Sequence, residues 1–323
     1  MLVRMLPEPT PGEKAGANVK NPSDQLHTLR DFIRWGTSQF SLAELGFHQG
    51  MPSALDEAVY LCLAALHLPP DFAPDYFDAV LTQEEKLRVF EFYRQRVEAR
   101  KPAAYITGEA WFAGLNFHVD ERVLIPRSPI AELIEQRFAP WAEDAAVSEI
   151  LDLCTGSGCI AIACGYAFPQ ARVVGSDISM DALAVAEDNR RLHGMEDRLE
   201  LVQSDLFVDV PEREYDIIVS NPPYVSTAEL ATLPNEFEYE PGAIALEAGE
   251  DGLDLVIPML QSAREFLSDN GILVVEVGYT QPALEACFPN VPFTWLEFER
   301  GGQGVFLLTA EQLEMCQADF DAA

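Results

Sequence analysis

The sequence predicts an α/β fold. A mostly parallel sheet carries helices on both faces, ends in an antiparallel last strand and follows a small helical N-terminal domain. Three observations carry this expectation. From residue 148 onward, apolar runs of strand length alternate with helical stretches. Residues 24–100 show helical periodicity with capping residues and no glycine-rich loop. Two apolar runs, 292–298 and 304–309, are joined only by residues 299–303. A parallel crossover needs about a dozen residues or more, so these two strands run antiparallel to each other.

Taken in order, residues 1–23 are rich in proline and glycine, without the apolar stretch and small-residue cleavage site of a signal peptide, and read as a flexible tail. Residues 24–103 form the helical domain. Asp24 is placed to cap a helix carrying Leu26, Leu29, Ile33 and Trp35; Ser53 precedes Leu55, Val59, Leu63 and Leu66; Thr82 and Glu85 make a capping box before Leu87, Phe90 and Val97. Residues 104–127, AYITGEAWFAGLNFHVDERVLIPR, are aromatic, β-branched and broken by Gly108 and Gly114, which suggests a β-hairpin connector. Ser128 and Pro129 then open a helix through Ile130, Leu133 and Ile134. In the α/β part, residues 128–312, strands are expected at 149–153, 171–176, 199–203, 215–220 and 271–277, with helices at 158–167, 179–193 and 252–268. Residues 313–323 read as a second flexible tail.

Composition narrows the function. No apolar run approaches the ~20 residues that span a bilayer. The cysteines Cys62, Cys154, Cys159, Cys164, Cys287 and Cys316 form no C-x-x-C pair and read as small apolar side chains in a reducing cytoplasm. The histidines His27, His48, His67, His118 and His193 have no ligand spacing, so no metal is expected. The net charge of −32 opposes nucleic-acid phosphates and favours a basic protein partner, although it also serves solubility.

The chemistry begins at LDLCTGSGCIAIA, residues 151–163. A strand runs into a glycine-rich turn and then a helix, the G-x-G-x-x-A pattern of a Rossmann-like nucleotide site. Gly156 and Gly158 let backbone approach a ligand where a Cβ would collide, and Ala161 permits close helix–strand packing. Asp177, nineteen residues after Gly158, ends the second strand, where a carboxylate can accept hydrogen bonds from both ribose hydroxyls. In QSDLF, residues 203–207, Asp205 can meet an adenine amino group while Leu206 and Phe207 offer apolar contact to the base. Nicotinamide cofactors and S-adenosylmethionine both suit these features. Asp152 before the turn and the antiparallel strand pair favour S-adenosylmethionine, and no hydride-transfer motif is present.

Ser220-Asn221-Pro222-Pro223-Tyr224 follows the fourth strand. Consecutive prolines stiffen the loop and push Asn221 out of helical geometry. Asn221 Oδ1 and the Pro222 carbonyl can accept the two N–H bonds of an amide or amino group, with Tyr224 stacked on the flat acceptor. Catalysis is then orientation of a nitrogen toward a methyl carbon.

TGSG, SDIS, QSDLF and SNPPY, in this order, resemble the protein-glutamine N5-methyltransferases, over about residues 24–310. RSPI (127–130), AWFAGLNF (110–117) and GGQGVFLLT (301–309) are similar to the branch acting on the third protein of the large ribosomal subunit. The release-factor branch usually continues its PR element with an acidic, Thr-containing stretch instead. The resemblance implies a class I methyltransferase in the cytoplasm that converts S-adenosylmethionine to S-adenosylhomocysteine. It implies cofactor contacts at Thr155, Gly156, Ser157, Gly158, Cys159, Asp177, Leu206 and Asn221, to which the residues add Asp205; substrate contacts fall at Asn221, Pro222, Pro223 and Tyr224. A glutamine methyltransferase of release factors and a nucleic-acid amino-methyltransferase are the alternatives. The second calls for a basic groove, at odds with the net charge of −32. A non-catalytic module that holds a ribosomal protein, or a nicotinamide oxidoreductase, would be separated by cofactor-binding measurements.

Overall fold

The computed structural model describes residues 25–47, 50–142, 147–241 and 243–323. Asp24 and residues 1–23, expected to be a tail, lie outside them. Three helices form the front of the molecule: α1 (Leu29–Leu42), α2 (Ala54–Ala65) and α3 (Gln83–Glu98). Helix α1 is capped by Thr28, not by Asp24. Thr28 accepts from the Asp31 N–H, and the Asp31 carboxylate accepts in return from the Thr28 N–H at 3.0 Å. Ser53 and the Thr82–Glu85 box cap α2 and α3. Phe32, Phe40, Leu61, Val89 and Tyr93 fill the space between these helices. The Tyr93 ring lies where a Cβ on Gly36 would be, and its hydroxyl donates to the Ala58 carbonyl at 2.7 Å.

The connector differs from a plain hairpin. Pro102 fixes φ for a short helix, α4 (Ala103–Thr107), which Gly108 ends in the left-handed conformation at φ 76°. Only then come β1 (Glu109–Phe112) and β2 (Leu115–His118), paired antiparallel. The Tyr105 hydroxyl donates to the Val123 carbonyl at 2.6 Å and ties α4 to the segment that leads into helix α5 (Ile130–Glu135).

The sheet is built from β3 (Glu149–Leu153), β4 (Arg172–Asp177), β5 (Leu199–Gln203), β6 (Tyr215–Ser220), β7 (Leu267–Glu276), β8 (Thr294–Trp295) and β9 (Val305–Thr309). Its order is β5-β4-β3-β6-β7-β9-β8, parallel from β5 to β7, with β9 antiparallel to both neighbours. Helices α6 (Cys159–Ala167) and α7 (Met180–Leu192) follow β3 and β4. Between β6 and β7 lie α8 (Thr227–Leu230), a 3-10 turn at Asn235–Tyr239, α9 (Ala243–Leu246) and α10 (Val256–Phe266). Helix α11 (Gln281–Cys287) follows β7. Chain order reverses on either side of β3, between β4 and β6, which opens a crevice at the carboxyl ends of the strands.

Three boundaries depart from expectation. Strand β7 begins at Leu267 and β8 holds only two residues. The larger departure is the C-terminus, expected to be a tail from 313: residues Ala310–Phe320 form α12, capped by Thr309 and Gln312, with Leu313, Cys316 and Phe320 buried. Their spacing of three and four residues puts all three on one helix face, against Phe288 and the sheet. No disulfide links the six cysteines; Cys62, Cys159, Cys164 and Cys316 are buried. Among the described residues no helix is long and apolar enough to cross a membrane.

Candidate active site

The turn between β3 and α6 is held by Asp152, which is fully buried. Its Oδ2 accepts from Thr155 Oγ1 at 2.5 Å and from the Ala161 N–H at 3.0 Å, fastening both ends of the turn. Oδ1 has no hydrogen-bond partner among the described residues. Burial pushes the Asp152 carboxyl up to about 7, against the pull of those two donors. Gly156, at φ 54°, has nothing within 4 Å of where a Cβ would stand. That open space is what a ligand approaching the backbone needs. Gly158, at φ 78°, serves packing instead. Its Cβ would come within 3.3 Å of Ala186, so its absence lets α6 lie close to α7.

Asp177 ends β4, half-buried. Its Oδ2 accepts from the Gly156 N–H at 2.8 Å and its Oδ1 from the Ser179 N–H at 2.9 Å. Burial raises its pKa while these N–H groups oppose the rise. Each oxygen keeps a lone pair for another donor. After β5 the chain turns through Leu206 at φ 47°. Ser204 pins this turn, donating to the Leu206 carbonyl at 2.8 Å and accepting from the Asp209 N–H at 2.9 Å. Leu206 and Asp205 line the cleft, but Phe207 does not: it turns into the core and stacks on Phe266 with centroids 4.6 Å apart.

Strand β6 delivers the fourth side of the cleft. Ser220 donates to the Leu153 carbonyl at 2.7 Å, which registers the Asn-Pro-Pro-Tyr loop on the glycine turn. Asn221 is half-buried, and neither its side-chain amide nor the Pro222 carbonyl is hydrogen-bonded to any described residue. Downstream the loop is fixed by a Val225 N–H to Leu246 carbonyl bond of 2.7 Å and by Thr280 Oγ1 donating to the Tyr224 carbonyl at 2.6 Å. Thr155, Gly156, Ser157, Cys159, Asp177, Asp205, Leu206, Asn221 and Pro223 thus face one cleft. Gly158, Pro222 and Tyr224 are not part of its wall. Pro222 is buried. The Tyr224 ring lies over Gly278, where a Cβ would collide with it, and its hydroxyl donates to Glu276 Oε1 at 2.8 Å.

Two carboxylates escaped sequence reasoning. Glu276 also accepts from Ser128 Oγ at 2.5 Å, so it joins the RSPI segment to the acceptor loop. Burial raises its pKa; the two hydroxyl donors and Arg127 oppose that rise. Glu240 forms a two-pronged ion pair with Arg127, with Nη2 and Oε2 2.8 Å apart, and the Arg127 guanidinium lies over the Phe237 ring at 5.2 Å. A lone acid closing the apolar run ILVVE was the available signal for Glu276. Beside Glu240, Pro241 and Ala245 close the cleft. This same segment reaches the front helices. Glu236 accepts from Arg100 Nη2 at 2.7 Å and from the Gly46 N–H at 2.9 Å, and the Tyr239 hydroxyl donates to the Ala99 carbonyl at 2.7 Å. Among the described residues no group of three or more His, Cys, Asp or Glu could hold a metal ion.

Residues 138–236 match the methyltransferase small domain family. The ribosomal protein uL3 glutamine methyltransferase of Xanthomonas campestris pv. campestris is 51% identical over 292 residues, 90% of this chain and 94% of that protein. The protein of the same name from Francisella tularensis is 48% identical over 291 residues, covering 90% of this chain and 92% of its own length. That of Bordetella pertussis is 47% identical over 294 residues, with 91% and 98% covered.

Proposed function

The chain belongs to the ribosomal protein uL3 glutamine methyltransferase family, and from that premise we propose that it methylates the side-chain nitrogen of one glutamine of uL3, using S-adenosylmethionine. The observation that carries the reading is Asn221, a cleft-lining side chain with no hydrogen-bond partner among the described residues, on a stiff loop beside the glycine turn, followed by a Pro222 carbonyl that is likewise unpaired among them. Both lie at the carboxyl end of a parallel strand, where open α/β sheets bind their ligands. A primary amide offers two N–H bonds to match them.

The residues present fit the cofactor. Gly156 leaves room for a ligand to approach the turn, and Asp177 keeps lone pairs for the ribose hydroxyls. Leu206 offers an apolar face for the adenine and Asp205 an acceptor for its amino group. When bound, S-adenosylmethionine supplies a methyl carbon on a positively charged sulfur, open to displacement. Asn221 and Pro222 hold the amide so that its nitrogen faces that carbon. An amide lone pair is delocalised into its carbonyl, so the N–H groups must bend out of plane as the N–C bond forms. Acceptors that follow that motion bind the transition state better than the ground state. The group displaced would be a neutral thioether, and Asn221 and Pro222 need no side-chain base beside them, because an N-methylated, protonated amide would lose its proton unaided.

The net charge of −32 supports a basic partner through long-range attraction. A ribosomal-protein substrate calls for an enzyme that works in the cytoplasm. The test is incubation with purified uL3 and, in parallel, a peptide chain release factor, followed by fragment mass spectrometry. Methylation of a single glutamine on uL3 is expected. An unmodified uL3, or a release factor modified faster than uL3, would overturn the reading.

A further inference from the structure

Residues 126–128 form a wall with two sides. One side faces the cofactor cleft; the other faces a second hollow, whose banks are the β1–β2 turn at Trp111 and Ala113 and the turn before β9 at Gly301 and Gly302. Trp111 is 51% exposed and stands on the bank of this groove. Across from it, the main-chain N–H and C=O groups of residues 301–303 make no hydrogen bond among the described residues, and all three residues are exposed.

This unpaired main chain is held in place. The buried carboxylate of Glu132 accepts from the N–H groups of Glu299 at 3.0 Å and Arg300 at 2.9 Å. Arg300 is ion-paired with Glu135. Gly302, at φ 105°, sits against Pro129 where a Cβ would collide, while Gly301 has open space above it. A fixed, unpaired stretch of backbone opposite an exposed aromatic ring is how extended peptides are recognised: the main chain bonds to main chain and a side chain packs on the ring.

We infer that this groove holds the uncharged, extended segment of the substrate protein next to its methylated glutamine, with main-chain bonds to residues 301–303 and a side chain under Trp111. The occupant follows from position and charge. The glutamine must reach Asn221, and the wall residues Arg127 and Ser128 line the groove as well as the cleft that holds Asn221. The groove's cations, Arg127 and Arg300, are already matched by Glu240, Glu132 and Glu135, so on a strongly acidic protein this strip is close to neutral. The inference rests on the reading of the acceptor loop given above.

The experiment compares Trp111→Ala and Trp111→Phe with wild type on intact uL3 at saturating cofactor, alongside calorimetry of uL3 binding to enzyme loaded with S-adenosylhomocysteine. Trp111→Ala is expected to raise the uL3 KM and Kd at least tenfold with kcat within twofold, since aromatic anchors carry much of the energy of such contacts. Trp111→Phe is expected to recover most of the loss, and cofactor affinity should match wild type in both. A KM and Kd for Trp111→Ala within twofold of wild type would overturn the inference, as would a loss confined to kcat. Asn221→Ala, measured in the same series, separates the two readings. If it keeps full kcat the acceptor-loop reading falls; if it loses kcat while Trp111→Ala changes nothing, only the groove falls.

Discussion

At the scale of single residues, the site divides into groups that are satisfied by the fold and groups that are not. Asn221 belongs to the second class, so its removal should cost chemistry and little stability. A loss of about 3 kcal/mol in transition-state binding would slow single-turnover methyl transfer on the order of a hundredfold in Asn221→Ala, with the Tm near wild type. Tyr224 belongs to the first. Its hydroxyl is one of two donors to Glu276. Tyr224→Phe should therefore cost about 1–3 kcal/mol in denaturant unfolding, the range for stranding a buried acceptor, while slowing transfer less than Asn221→Ala. A larger rate loss for Tyr224→Phe would contradict this division. Asp152 makes a pH prediction. Its carboxyl is raised to about 7 in the fold, whereas an unfolded chain restores the ordinary value of about 4. Above the unfolded value the unfolded chain releases this proton first, so the stability it contributes is full below about pH 4 and is lost as pH rises through 7. The loss is on the order of 4 kcal/mol at most. Asp152→Asn should flatten that part of the pH–stability curve, and equal slopes for the two proteins between pH 4 and 8 would refute the assignment.

At the scale of elements, legibility followed locality. The β3 turn and the acceptor loop were readable because glycine and proline dictate backbone within a few residues. The alternation of strand and helix was readable from apolar spacing. Glu276 and Glu240 were not, because their partners Ser128 and Arg127 stand 148 and 113 residues away in the chain. Tyr224 was assigned to the acceptor by its neighbours in sequence, and its packing on Gly278 became visible only in the fold. Helix α4 was hidden inside an aromatic stretch that reads as strand, although Pro102 and Gly108 bracket it. Helix α12 was hidden by an acidic terminal composition, with Leu313, Cys316 and Phe320 as its buried apolar contacts beyond Ala310. The fold now makes α12 a structural element. Phe320 is fully buried against Phe288, with centroids 5.3 Å apart, so Phe320→Ala should destabilise the protein by roughly 3–5 kcal/mol in urea unfolding. A change below about 0.5 kcal/mol would mean that the C-terminus contributes no packing.

At the scale of the whole molecule, one segment joins the front helices to the cleft. Residues 226–241 leave the acceptor loop, bond to the front helices through Glu236 and Tyr239, and return to the cleft through Glu240 and Pro241. The front helices therefore bear on the loop that carries Asn221. Around this frame the surface is strongly acidic, at −32 overall. Attraction between an acidic enzyme and a basic substrate is screened by salt, so raising ionic strength from about 0.05 to 0.5 M should lower the association rate with uL3 by tenfold or more while leaving kcat within twofold. A salt-independent association rate would assign the charge to solubility alone. The central claim is that this chain methylates uL3 by orienting a glutamine amide at Asn221. It is tested most directly by mass spectrometry of uL3 from cells lacking the gene and from the same cells complemented with wild type or Asn221→Ala. The account predicts that the glutamine methyl group is lost in the deletion, returns with wild type and stays absent or nearly absent with Asn221→Ala. A methyl group that persists in the deletion, or that Asn221→Ala restores in full, would contradict it.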